Sequence, residues 1–147
     1  MARSPEPART AVIVAHGSPS DPESQESALS ALASRVDARM DGWHVSSATL
    51  AAKGRLEAEV EALGKPLIYP FFMARGWFTG QVLAKKAREM GVRMLDPFGV
   101  EAGLVQCAQR ELGKVLAERG WKAEETALVV AGHGSAVSRT SADSAYE

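Results

Sequence analysis

Apolar positions in this chain fall into short unbroken runs separated by longer stretches of helical spacing. The first run, Ala11-Val12-Ile13-Val14-Ala15, lies between Thr10 and His16-Gly17-Ser18. A β-branched run with no polar position inside it predicts a strand buried on both faces, here ending at an imidazole. Pro19-Ser20-Asp21-Pro22 then turns the chain, with Asp21 suited to cap a helix and Pro22 to open it. Leu29, Leu32, Ala33, Val36 and Met40 recur at helical spacing and predict one buried face, closed by Asp41-Gly42. Residues 44–50 are rich in β-branched and small side chains and read as a second strand. A short helix follows between Gly54 and Gly64, with Leu56, Val60 and Leu63 on one side.

The third strand, residues 66–69, is expected to stop at Pro70, which has no N–H for a sheet ladder. After it comes the aromatic loop 71–78, broken by Gly76. Thr79 is placed to cap a third helix with Val82, Leu83, Ala87 and Met90 inward and Lys85, Lys86 and Arg88 outward. Residues 92–95 read as a fourth short strand, turned by Asp96-Pro97-Phe98-Gly99. A long helix is expected over about residues 101–119, with Leu104, Val105, Ala108, Leu112, Val115 and Leu116 facing in and Gly120 at its end. Residues 127–131 form one more apolar run.

Strand and helix therefore alternate along the chain, which predicts an α/β fold: a doubly wound parallel sheet of about four strands flanked by helices. Ligands of such sheets sit beyond the carboxyl ends of the strands, where His16, Trp77 and Asp96 all fall. The opening phrase then returns: Thr126-Ala127-Leu128-Val129-Val130-Ala131-Gly132-His133-Gly134-Ser135 repeats it one domain length later. The expected organisation is a disordered tail over residues 1–9, an α/β domain over 10–122, and an extra strand with a partial helix, 123–147, opening a truncated second repeat.

Composition narrows the setting. Of the 147 residues 46% are hydrophobic and 24% charged, which suits one soluble globular domain. A net charge of −1 excludes a nucleic-acid partner held by a strong overall positive field. The one cysteine, Cys107, allows neither an internal disulfide nor a cysteine-based zinc site, and its place at the edge of an apolar helix face predicts packing. No run approaches the roughly 20 apolar residues of a membrane span, and the first residues lack the apolar core of a signal peptide. No membrane partner and a cytoplasmic location are therefore expected.

His16 is the first candidate for chemistry. An imidazole at a strand end, followed by a glycine that lets backbone approach and by the Ser18 hydroxyl, suits a metal ligand or a proton acceptor. Its echo at His133 strengthens that assignment. The second candidate is the loop after the third strand, where Arg75, Gly76, Trp77 and Phe78 offer a flat surface, a cation and bare backbone to a planar, carboxylated ligand. Phe71 and Phe72 read as core. His44 reads as a surface residue, and Glu57, Glu59 and Glu61 as a solvated helix face.

Ala15-His16-Gly17-Ser18-Pro19, Tyr69-Pro70-Phe71-Phe72-Met73-Ala74-Arg75-Gly76, Asp96-Pro97-Phe98-Gly99 and the reopening at His133-Gly134-Ser135 together resemble the sirohydrochlorin chelatases of the CbiX and SirB type. Members of this family insert cobalt, nickel or iron into a tetrapyrrole without a nucleotide, and adopt a doubly wound α/β fold, either as a homodimer or as two fused copies. The resemblance spans essentially the whole chain and implies the first copy plus the start of a second. It implies that His16 is a catalytic metal ligand and acceptor of pyrrole protons, with His133 a further metal ligand. Ser18, Met73, Ala74, Arg75, Gly76, Trp77 and Phe78 are implied to bind the tetrapyrrole. The expected partners are the tetrapyrrole and a divalent metal (Co2+, Ni2+ or Fe2+), with no other cofactor, and either a homodimeric mate or a missing second repeat.

Two departures from the family pattern stand out. Phe78 occupies about the place of a second histidine, and Ala51 or Ala52 that of a carboxylate after the second strand. A lone imidazole is a weak site for a divalent metal. A catalytically degenerate domain that binds tetrapyrrole or metal, or serves in dimerisation, is the alternative reading. A histidine-phosphatase-like enzyme also places His-Gly after its first strand, but needs an arginine immediately before the histidine. Ala15 and Gly132 stand there instead.

Overall fold

The computed structural model describes residues 9–131. The expected tail lies outside them except for Arg9, which opens the first strand, and His133 with the rest of 132–147 lies outside them too. The element order is β1 (Arg9–Ala15), α1 (Pro22–Asp37), β2 (Trp43–Thr49), α2 (Arg55–Leu63), β3 (Leu67–Pro70), a π-type turn (Phe78–Leu83) running into α3 (Ala84–Glu89), and α4 (Ala102–Arg119). The strands form a parallel sheet in the order β2-β1-β3.

The central strand explains the layers. Val12 and Val14 point to one face, where Leu56 and Val60 of α2 and Leu83 and Ala87 of the third helix close over them. Ile13 points to the other face and packs with Leu29 and Ala33 of α1 and Val45 of β2. Successive side chains of a strand alternate in this way, so an unbroken apolar run feeds two cores. Asp21 caps α1 as expected, accepting from the Ser24 N–H at 3.3 Å. That helix ends at Asp37, before Met40, which is exposed.

Among the described residues the sheet has three strands where about four were expected, and β3 supplies the reason. Pro70 is the last residue of the strand, paired opposite Val14. The Phe71 N–H donates to Val14 O on β1, whereas the Ile68 N–H points the other way, to Arg93 O at 2.9 Å. Backbone groups of a parallel strand alternate between its two neighbours, so Pro66 and Pro70 remove the N–H groups that would flank this bond. What remains of the fourth strand is a single parallel bridge, Ile68 to Met94, with Leu95 N–H donating to Ile68 O.

The second correction concerns α4. Its bounds and its left-handed Gly120 end match expectation, yet none of its residues is buried. Val105, Leu112 and Val115, expected to face in, are exposed, as is Cys107, expected to pack. The apolar run 127–131 forms no strand, and Leu128, Val129 and Val130 stand in solvent. Among the described residues no helix is long and apolar enough to cross a membrane.

Candidate functional site

The carboxyl edge of the sheet carries His16 and the loop after β3, the residues from which chemistry is expected. His16 follows the last residue of β1, and its backbone is fixed by the neighbouring strand: the Leu50 N–H donates to Ala15 O at 2.9 Å and the Ala51 N–H to His16 O at 3.0 Å. Gly17 takes a φ of +74°, and a Cβ there would lie 2.7 Å from Thr49 Cβ. Glycine is thus required twice over, for its conformation and for its contact. Thr49 is itself buried and held. Its N–H donates to Glu26 Oε2 at 2.9 Å, and its hydroxyl oxygen accepts from the Ala52 N–H at 3.3 Å. Thr49 and Glu26 escaped the sequence reading, and the glycine after His16 was the available signal that something packs beneath it.

The imidazole is oriented by its own backbone. His16 Nδ1 lies 2.8 Å from Gly17 O. A carbonyl only accepts, so this contact is a hydrogen bond when Nδ1 carries the proton, and Nε2 then keeps its lone pair. That is the form a metal ligand or proton acceptor needs. The Phe78 ring meets the imidazole edge-on, with centroids 4.2 Å apart and planes at 82°, and Trp77 meets Phe78 in the same way at 5.2 Å. By the family pattern Phe78 stands about where a second histidine belongs. The structure places it against His16.

Phe78 is presented by a local device. The Thr79 hydroxyl donates to Gly76 O at 3.0 Å and its oxygen accepts from the Gly76 N–H at 2.9 Å. Thr79 therefore lies inside the helix, reaching back to the turn before it as the third residue of a capping box does, and is not the cap expected ahead of it. The wide turn at Phe78–Leu83 lets Leu83 reach the core while Trp77 stays largely exposed.

Arg75 projects from the same loop and pairs with Asp96, Nη2 to Oδ1 at 3.1 Å. Met73 is exposed, and Ala74 and Gly76 are half-buried. The Ser18 hydroxyl is 2.9 Å from that of Ser20, inside the turn that starts α1. Burial first and Glu101 second push the Tyr69 phenol pKa up. A cleft of about 630 Å³ opens beside this edge between α1 and the loop after β2, lined by Glu23, Glu26, Ala51 and Arg55, but His16 is not part of its wall. Among the described residues no three His, Cys, Asp or Glu side chains converge as a metal set.

No protein-family model matches the chain, and no curated protein sequence does. Two solved structures do. Over 94% of its length the chain is 38% identical to CbiX, the terminal enzyme for biosynthesis of siroheme in denitrifying bacteria, with a TM-score of 0.82. The chain spans 61% of that protein's length. A CbiX protein of Marinobacter aquaeolei VT8, assigned to cobalamin (vitamin B12) biosynthesis, matches 76% of this chain over 98% of its own length at 23% identity and a TM-score of 0.55, a likeness of fold. With the parallel sheet, the histidine at the end of its central strand and this degree of identity in place, the chain is CbiX-like in sequence and fold.

Proposed function

We propose that this chain carries a metal-insertion site for a tetrapyrrole, sirohydrochlorin or a close relative, acting in siroheme or cobalamin biosynthesis in the cytoplasm. The observation that supports it most is His16: an imidazole at the end of β1 whose Nδ1–H is engaged by Gly17 O, in a chain 38% identical to CbiX. The metal is substrate, and cobalt, nickel and iron all suit a neutral imidazole. His16 Nε2 offers the lone pair that either holds the metal as it approaches or takes a pyrrole proton as metal–nitrogen bonds replace N–H bonds. Trp77 and Phe78 supply aromatic surface for the ring, and Arg75 a planar cation for a peripheral carboxylate. Ser18, Met73, Ala74 and Gly76 complete the contact surface.

One imidazole beside a phenyl ring holds a divalent metal weakly. The reading therefore includes a second ligand, His133 or a side chain of another chelatase-like unit. Such a unit, a second copy or a further stretch of chain, would also cover the apolar face of α4. Phe78 against His16 favours one other reading, a domain that binds tetrapyrrole without turning it over. Anaerobic incubation with sirohydrochlorin and Co2+, Ni2+ or Fe2+ separates them by absorbance. Metallation faster than the protein-free rate is expected, and ring binding with no acceleration would establish the binding domain instead.

A further inference from the structure

Asp96 is the charged side chain at the rim to which the reading above gives no task. It sits in a frame built for close contact with the ligand loop. The Gly99 N–H donates to Phe72 O at 2.9 Å, and the Phe71 and Phe98 rings lie 4.9 Å apart. A Cβ on Gly99 would fall 1.7 Å from Met73 O, so only glycine lets the two backbones meet. Asp96-Pro97-Phe98-Gly99 is thus locked onto residues 71–73, and the ion pair of Asp96 with Arg75 extends that lock outward to the rim.

The pair is built to exchange. Its side chains are 63% and 68% exposed and meet through one Nη2 to Oδ1 contact, which leaves most of the five guanidinium N–H donors of Arg75 available. Exposed pairs of this kind contribute little, and a carboxylate that arrives bidentate makes the stronger partner. We infer that Asp96 is a specificity-determining residue: an internal carboxylate that occupies Arg75 until a peripheral carboxylate of the macrocycle displaces it. Asp96 keeps the long Arg75 side chain at the rim and yields it to an arriving carboxylate. The inference rests on the tetrapyrrole reading.

The test is a double-mutant cycle on the full chain, read by quenching of tryptophan fluorescence with uroporphyrin and with its uncharged glycol ester. Asp96→Asn removes the competing charge at almost no change in shape. It is expected to tighten uroporphyrin binding roughly two- to fivefold, the strength of an exposed pair, and to leave the ester unchanged. In an Arg75→Gln background the same substitution is expected to change nothing. An equal gain in that background would show general repulsion and overturn the inference, as would no gain in the wild-type background. Wild-type protein that binds neither porphyrin would overturn the tetrapyrrole reading and this inference with it. Binding of both porphyrins without an effect of Asp96→Asn would overturn the inference alone.

Discussion

Helices α1 and α4 carry apolar residues at the same spacing and meet opposite fates. On α1, Leu29 and Ala33 are buried against Ile13 and Val45. On α4, Leu112 is 37% and Val115 46% exposed, and no residue is buried. The difference lies in what each helix finds within reach. The strand before α1 is central, so the helix folds back over a sheet with strands on both sides of it. Before α4 stands a single bridge at Met94, and the helix meets little of the sheet beyond it. An amphipathic stripe states that a face seeks cover; the topology decides where that cover is.

Core truncation should separate the two regions most. Leu56→Ala, in the fully packed cluster under β1, is expected to cost about 2–5 kcal/mol in urea unfolding. Leu112→Ala on α4 is expected to fall within about 0.5 kcal/mol at low protein concentration. If α4 packs on a second copy, the Leu112 penalty grows with concentration and the sedimentation coefficient falls. A large Leu112 penalty in a strictly monomeric sample would contradict the comparison, because α4 would then be packed within the chain.

Gly17→Ala comes next. It places a Cβ at φ +74° and 2.7 Å from Thr49 Cβ, and about 1–3 kcal/mol of stability should be lost. The His16 ring resonances should move with it, whereas the exposed Gly103→Ala on α4, with nothing within 4 Å, should be neutral or stabilising. Unshifted His16 resonances in Gly17→Ala would show that Thr49 does not set the imidazole.

A smaller effect belongs to a surface bond inside the packed region. The Lys86 ammonium donates to Glu57, tying α3 to α2, and this hydrogen bond holds the Glu57 carboxyl below its usual pKa. A carboxylate with a depressed folded pKa stabilises above its unfolded pKa, and the gain is lost as pH falls through the folded value. Glu57→Gln should therefore cost no more than about 1 kcal/mol at neutral pH, discounted for exposure, and the two proteins should converge in acid. A gap that persists at low pH would assign the effect to packing.

Much of the packed region was legible because its signals are local. The β-branched run of β1, the Asp21-Pro22 start of α1 and the glycines around α2 each specify their own segment. The errors arose where structure depends on a neighbour. Pro70 ends β3 as expected, but its missing N–H also faces the fourth strand and shortens it, which the sequence alone did not announce. The turn at Phe78–Leu83 has a spacing that no regular helix pattern announces. At the site, His16 and Phe78 were legible as positions, while Thr49 beneath Gly17 and the pairing of Arg75 with Asp96 are contacts between loops far apart in sequence.

The central claim is that His16, oriented through Gly17 O, is the working group of this edge. It is tested most directly by His16→Ala, compared with the wild type for the rate of cobalt insertion into sirohydrochlorin at equal tetrapyrrole occupancy. The ring is expected still to bind through Arg75 and the Trp77 and Phe78 surface while insertion falls to the protein-free rate. Insertion at the wild-type rate would contradict the claim.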